Sequence, residues 1–251
     1  MGQYTESWTS DRTGFVVLEG LGAGGLSTSG GGGAYYPAAG GGQYSLVEVV
    51  AVVLGTMYTI FRGKGDSNGG TNNQTDMRFG PGGSSNLIAK GGTGAGANPT
   101  DVGLGDFPGS VGDIIRFGGN GGPGDPGNDG TAGGGGGAGR HSPGQDGGAA
   151  GAVPGLGGVS GDGGPDGDGA DGTFNAAGAP GSPPGGGASP GSNFHAGALG
   201  GDGSWAVWAP SDWDFTLHEP KPGTVPIAFA GSYIPAPPAP PASGESSSFI
   251  M

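Results

Sequence analysis

Apolar residues along this chain come in a few short runs separated by long stretches that carry almost none. FVVL at 15–18 reads as a buried strand that runs straight into GLGAGG. YSLVEVVAVVL at 44–54 is β-branched and partly alternating, Gly55-Thr56 is a turn signal, and MYTIF at 57–61 reads as the second strand of a hairpin. Shorter apolar runs at 87–89 and 113–117 (DIIRF) extend the series, and SWAVW at 204–208 closes it. Residues 1–13 are polar and read as irregular. No stretch has the apolar spacing of a useful amphipathic helix, and glycine disfavours helix by about 1 kcal/mol per residue relative to alanine.

Composition changes the picture most after Phe117. Of 251 residues, 68 are Gly and 22 are Pro, so aliphatic burial has little to work with. Between 118 and 200 the only large apolar side chains are Val153, Leu156, Val159, Phe174, Phe194 and Leu199. A disordered spacer is the plain reading of such a composition. Against it stands a period. Gly118, Gly121, Gly124, Gly127, Gly130, Gly133, Gly136 and Gly139 fall on every third position. The phasing resumes at Gly155, Gly158, Gly161, Gly164 and Gly167, and again at Gly197, Gly200 and Gly203.

The backbone form with three residues per turn is extended, left-handed and free of internal hydrogen bonds, rising about 3.1 Å per residue. The 22 residues of 118–139 would span roughly 70 Å in that form, against a radius of gyration of about 18 Å for a compact chain of this length. The run must therefore project as a spike or fold back on itself. Folding back lets glycine-faced segments approach and pair their outward N–H and C=O groups. Collagen is disfavoured, because the phase slips and the other two positions are often glycine.

Charge and chemistry narrow the function classes. Formal net charge is −13, and beyond Phe117 only Arg140 and Lys221 are basic, so a phosphate backbone is an unfavourable partner. There is no cysteine, hence no disulfide or thiolate site. MGQYTESWTS lacks the basic-then-apolar pattern of a secretory signal, and the aliphatic run 49–54 falls far short of the about 18 residues that span a membrane. GLGAGG has no helix or acidic partner behind it, and RGKG lacks the rest of a P-loop. His141, His195 and His218 have no paired acid at a readable spacing, so no catalytic residue, enzyme activity or cofactor is expected. Asp162, Asp166, Asp168 and Asp171 miss the spacing of calcium loops; they read as solvated carboxylates, with weak calcium binding as the alternative.

The order of these blocks resembles a known family. FVVLEGLGAGG, GGGGAYYPAAGGGQY, VEVVAVVLGTMYTIFRGKGDSNGG and MRFGPGGSSNLIAKGGTGAG, closed by SWAVWAP, are similar to the glycine-rich domain of bacteriophage tail fibres and minor tail proteins. The resemblance covers roughly 14–210, lacks the family's "TPGQ" turn, where this chain reads VVLGTMY, and leaves the Pro-rich tail unassigned. It implies a virion protein that is released with the particle, assembles as a homo-oligomer, trimeric as in many fibres, contacts other virion proteins and binds a host saccharide or outer-surface protein. It also implies polyglycine II helices packed as a sandwich with variable loops at one end.

The expected architecture is thus mainly β plus irregular, with no significant α-helix: a 1–13 extension, a β-rich anchor at 14–117, a polyglycine II-like lattice at 118–203, a closing aromatic strand at 204–219 and a Pro-rich extended arm at 220–251. The period breaks at Arg140-His141, Phe174-Asn175 and Phe194-His195, which makes these residues candidate loop-tip receptor contacts or, for the aromatics, lattice plugs. Trp205, Trp208 and Trp213 are candidate core anchors or subunit contacts. The rival functions are a capsid-decorating or cement protein whose tail grips its neighbours, and an ice-binding or cell-surface glycine-rich protein. The outward positions, rich in Asp, Pro and Asn, argue against a flat ice-binding face.

Overall fold

The structure is a computed structural model that describes residues 3–27, 37–66, 74–95, 100–106, 108–125, 130–163, 167–192 and 195–231. Among these residues the regular structure is antiparallel β with short 3-10 turns and no α-helix, as the glycine content leads one to expect. The strands are β1 (Tyr4–Thr9), β2 (Gly14–Leu21), β3 (Tyr44–Val52), β4 (Met57–Arg62), β5 (Thr75–Arg78), β6 (Leu87–Ala89), β7 (Ile114–Arg116), β8 (Ser204–Trp208), β9 (Trp213–Asp214), β10 (Glu219–Pro220) and β11 (Ala228–Ala230).

They form three sheets. One runs β1-β4-β5-β6, a second runs β11-β8-β2-β3-β7, and β9 and β10 make a short pair. The two larger sheets face each other across Val16, Leu18, Val50, Val52, Tyr58, Ile60, Met77, Leu87 and Val207. Alternation explains the choice of face: Val16 and Leu18 point into this sandwich, while Val17 and Leu21 point to the opposite side, where Tyr44, Leu46, Trp208 and Trp213 form a second core. Trp8, Tyr58 and Phe79 stack at the margin of the first, with ring centroids 4.5–5.9 Å apart.

Residues 1–13 depart from the irregular extension expected. Tyr4–Thr9 is a full edge strand paired with β4, and its half-buried positions Tyr4, Glu6 and Trp8 alternate with exposed Thr5, Ser7 and Thr9. The inward positions include a carboxylate, which hid the period-two pattern. β5 likewise buries a carboxylate, Asp76, between Thr75 and Met77.

The glycine-rich segments lie outside these sheets, and they do not respect the expected division at 117. Residues 38–43, from the first half, bond to segments of both halves. Ala38 N–H donates to Gly122 O, Ala39 to Ala188 O, Gly40 to Thr93 O, and then Gly41 to Gly119 O, Gly42 to Gly185 O and Gln43 to Lys90 O, all at 2.7–3.1 Å. Successive donors therefore turn through three neighbours and return to the first after three residues. Residues 133–138 repeat the pattern, donating in rotation to Gly148, Ala170, Ala39, Gln145, Gly167 and Gly42 at 2.7–3.0 Å. Their carbonyls accept in the same rotation from three further segments: Gly122 on Gly133 O, Gly158 on Gly134 O, Gly187 on Gly135 O, Gly119 on Gly136 O and Gly161 on Gly137 O.

This bonding requires glycine for close approach. A Cβ built on Gly133, Gly134, Gly135 or Gly136 would fall inside contact distance of the carbonyl oxygen of Leu156, Gly187, Gly119 or Val159 respectively. Central segments are surrounded on all sides and so read GGGGG. Segment 155–161 lies at the margin: Gly155, Gly158 and Gly161 all donate to the neighbour 131–137, Gly157 closes on Gly169 O, and Leu156 and Val159 are exposed.

Candidate functional site

The glycine-rich region has two ends, and residues 130–140 run between them, on the order of 30 Å of extended chain. One end meets the sheets. There Arg140, expected at a loop tip, is buried. Its Nε and Nη2 donate to Glu19 on β2 at 2.9 and 3.1 Å, Tyr44 O–H donates to the same carboxylate at 3.0 Å, and Trp208 Nε1–H does so at 3.0 Å. Burial opposes the guanidinium's charge, but Glu19 and then Tyr44 outweigh it and hold the Arg140 pKa above its ordinary value. Burial, reinforced by Glu19, raises the Tyr44 pKa well above 10.0. The Arg140 side chain is a bolt between the glycine-rich region and the sheet, so Arg140 is removed from the receptor-contact candidates.

His141 shares that end. It is half-exposed and meets Glu219 on β10, Nε2 to Oε2 at 2.9 Å. The 140–142 turn is held by Asp162, whose carboxylate accepts from the backbone N–H of Arg140, His141 and Ser142 at 2.7, 2.9 and 3.1 Å. His218 pairs in the same manner with Glu48, at 2.8 Å.

The aspartates weighed for calcium have other work. Asp168 accepts from Ser160 N–H at 2.6 Å and Asp171 from Gly157 N–H at 2.7 Å, each closing a donor that points out of the lattice. Asp146 and Asp202 do the same for Asn120 and Gly65. Asp166 lies outside the described residues. Among the described residues no three His, Asp or Glu side chains are placed to share a metal ion.

The tryptophans are buried, at 5% exposure for Trp205, 0% for Trp208 and 1% for Trp213, which places them in the cores and withdraws them from contact with a second subunit. Each indole N–H donates to a glutamate: Trp205 to Glu6, Trp208 to Glu19 and Trp213 to Glu48. The sequence reading named the tryptophans and missed their acceptors, which lie 165–199 residues away in the chain.

The other end of the region gathers the remaining candidates. Gly130 bridges Phe174, Thr131 N–H donates to Thr173 O at 2.9 Å, and Ala150 N–H donates to Pro123 O at 2.8 Å. Ala176 and Ser192 exchange bonds at 2.9 and 3.0 Å, and His195 N–H donates to Ser192 O at 2.9 Å. Phe174, Asn175 and His195 are all exposed here, and Asn175 holds a positive φ of 48°, so its turn is sharp. Phe174 is 56% exposed and therefore does not plug the lattice. Val153, which the sequence reading passed over, stands 76% exposed next to Gly130. Phe194 lies outside the described residues.

The arrangement sets exposed side chains with apolar and polar tips on turns held by backbone hydrogen bonds. Comparison with protein-family models and with curated proteins returns no match, so the family resemblance rests on the quoted residues alone.

Proposed function

We propose that this chain is a non-enzymatic bacteriophage virion protein, a glycine-rich tail-fibre or tail-tip component that recognises a host surface with Val153, Phe174, Asn175 and His195. Its glycine-rich region is a polyglycine II lattice of left-handed threefold segments. The observation that carries the scaffold half of this reading is the donor rotation at 38–43 and 133–138. A threefold helix points consecutive N–H groups in three directions, and its packing gives every inner segment six neighbours. The recognition half is supported by the division of labour between the ends. Arg140 bolts one end to the sheets, and Val153, Phe174, Asn175 and His195 stand exposed at the other.

The partners on this reading are other virion proteins, further copies of the chain and a host saccharide or outer-surface protein. The test is adsorption of particles that carry Phe174→Ala with Asn175→Ala, beside particles that carry His141→Ala. The first pair of changes should lower adsorption at least about tenfold while assembly and circular dichroism stay unchanged. His141→Ala should leave adsorption intact. Unchanged adsorption by the first variant sinks the recognition role and leaves the cement-type structural reading.

A further inference from the structure

β3 has a partner on its outer edge for only part of its length. β7 pairs with Tyr44, Ser45 and Leu46, and among the described residues no strand continues alongside 49–53. The neighbouring strands fix which backbone groups face that gap, because consecutive residues of an antiparallel strand turn their N–H and C=O groups to opposite sides. Ile227 N–H donates to Val207 O at 2.9 Å, so Val207 is turned toward β11 and Trp208 toward β2. Trp208 pairs with Val17, so Val16 and Gly14 are turned toward β3, where they pair with Val50 and Val52. The N–H and C=O of Ala51 therefore point outward, away from β2. Val53 N–H, two residues on, likewise leaves β2 and donates to the Tyr58 hydroxyl at 3.0 Å.

Ala51 is exposed, and along the same edge and hairpin stand Phe15, its partner on β2, with Val49, Val53, Leu54 and Met57, each 55–67% exposed. Together these side chains present on the order of 500 Å² of apolar surface, at the upper end of what a typical monomer carries in its largest patch. One face of a standard interface takes about 800 Å², rather more than half of it apolar, so the patch matches the apolar share of one such face. A groove of about 500 Å³ runs beside the edge, lined by Ala51, Val53, Met57, Tyr58, Arg78 and Phe79 among others. Arg78 is the only charged residue in its lining and is paired with Asp76 at 3.0 Å, while Glu48, next to Val49, accepts from Trp213 and pairs with His218. Two such surfaces therefore meet without drawing an unpaired charge out of water.

We infer that two copies of the chain join through this edge, β3 lying antiparallel to β3 of the second copy with Ala51 on the two-fold axis. The Ala51 N–H of each copy donates to the Ala51 C=O of the other, which carries the β11-β8-β2-β3 sheet across both copies. The smallest side chain of the edge thus stands where the two backbones are closest. The axis also sets the two grooves against each other, and Met57, unbranched and exposed, fills the space they share. Pairing covers an edge that a lone chain leaves open to any extended strand. The inference goes beyond the reading above, which has further copies as partners without a surface, and it stands whether or not the chain belongs to a virion.

Sedimentation velocity on the full chain in about 0.15 M salt tests it. The chain should run as a dimer at about 100 μM and dissociate on dilution, and the Ala51 amide should exchange at least about tenfold more slowly in the dimer than in the diluted monomer. Ala51→Pro removes the outward donor and leaves the pairing of Val50 and Val52 with β2 in place. It should weaken association at least about a hundredfold while the near-ultraviolet circular dichroism of the tryptophans stays unchanged. Val53→Lys sets an ammonium group from each copy in the contact and should weaken association as much without touching the backbone, so the test stands even where the proline disturbs β3. A chain that stays monomeric at about 100 μM overturns the inference and leaves the edge to a strand of a different protein. A dimer indifferent to both variants overturns it by placing the contact elsewhere, and a trimer overturns the two-fold pairing.

Discussion

The β-sandwich and the glycine-rich region bury their backbones by opposite means. In the sandwich, side chains such as Ile60, Met77 and Leu87 fill the space between sheets, and each full burial contributes about 1.5–3 kcal/mol. In the glycine-rich region the apolar cluster consists of Ala38, Ala132 and Ala150, so transfer of apolar surface contributes little. What remains is backbone pairing at a net 0.5–1.5 kcal/mol or so per bond, set against the large entropy that glycine loses on folding. The difference teaches that a lattice of this kind is only as stable as its anchorage and its margins.

The anchorage gives the largest expected effect. Arg140→Met leaves the Glu19 carboxylate buried without its cation, a loss of about 3–5 kcal/mol. Glu19→Gln should cost a similar amount, because Tyr44 and Trp208 donate to different carboxylate oxygens, so one set of donors would face the amide NH2 while Arg140 stays buried and charged. Thermal unfolding followed at the tryptophans and at the 133–138 amides checks both. In Arg140→Met the two probes should separate, since the bolt between the regions is gone.

A second comparison breaks the lattice from inside. Gly135→Ala drives a methyl group against the Gly119 carbonyl at 2.0 Å and Asn120 O at 2.8 Å, both backbone, with no side chain there to yield. It should cost about 3 kcal/mol. Gly151→Ala meets only Val153 O, at 3.7 Å, and should be neutral or stabilising by up to about 1 kcal/mol through the unfolded state. Equal denaturation midpoints for the two variants would refute the close-approach account.

These residues also show where the sequence was readable. The strands at 15–18, 44–52, 57–61, 87–89, 114–116 and 204–208 announce themselves because their inward positions are aliphatic or aromatic. β1 and β5 do not, because each covers a carboxylate: Glu6 accepts from Trp205, 199 residues away, and Asp76 pairs with Arg78 two residues on. In segment 155–161 the period-three glycines coincide with the residues that donate to 131–137. In the central segments 38–43 and 133–138 nearly every position is glycine or alanine, so the period does not say which glycines face which neighbour. Arg140 misled for a related reason. Its acceptor lies 121 residues earlier, and a basic residue at a break in the period reads as a tip until Glu19 is placed beside it.

The margins come next in size. Asp171 satisfies Gly157 N–H in place of a neighbouring carbonyl, much as a capping side chain does for a helix. Asp171→Ala should cost about 1 kcal/mol, and Asp171→Asn should recover most of it because the amide oxygen still accepts. Denaturant titration of the three proteins gives the ordering. A charge-only role would instead make the two variants alike.

The smallest effect separates the regions by pH. Asp214 accepts from Thr216 and Leu217 N–H at 2.8 and 3.2 Å, and these donors hold its pKa below the ordinary 3.8. A lowered folded pKa means that the carboxylate's contribution is complete above about pH 4 and is lost as pH falls through the lowered value. The bonds inside 133–138 join backbone to backbone and contain nothing that titrates in this window. Hydrogen exchange between pH 5 and pH 2, corrected for intrinsic rates, should therefore loosen Thr216 and Leu217 while leaving the lattice amides level. Asp214→Asn should flatten the response of the turn without touching the lattice. Loosening of both together would mean that the lattice depends on carboxylates at its margin, Asp162, Asp168 and Asp171, more than on the glycine contacts at its centre.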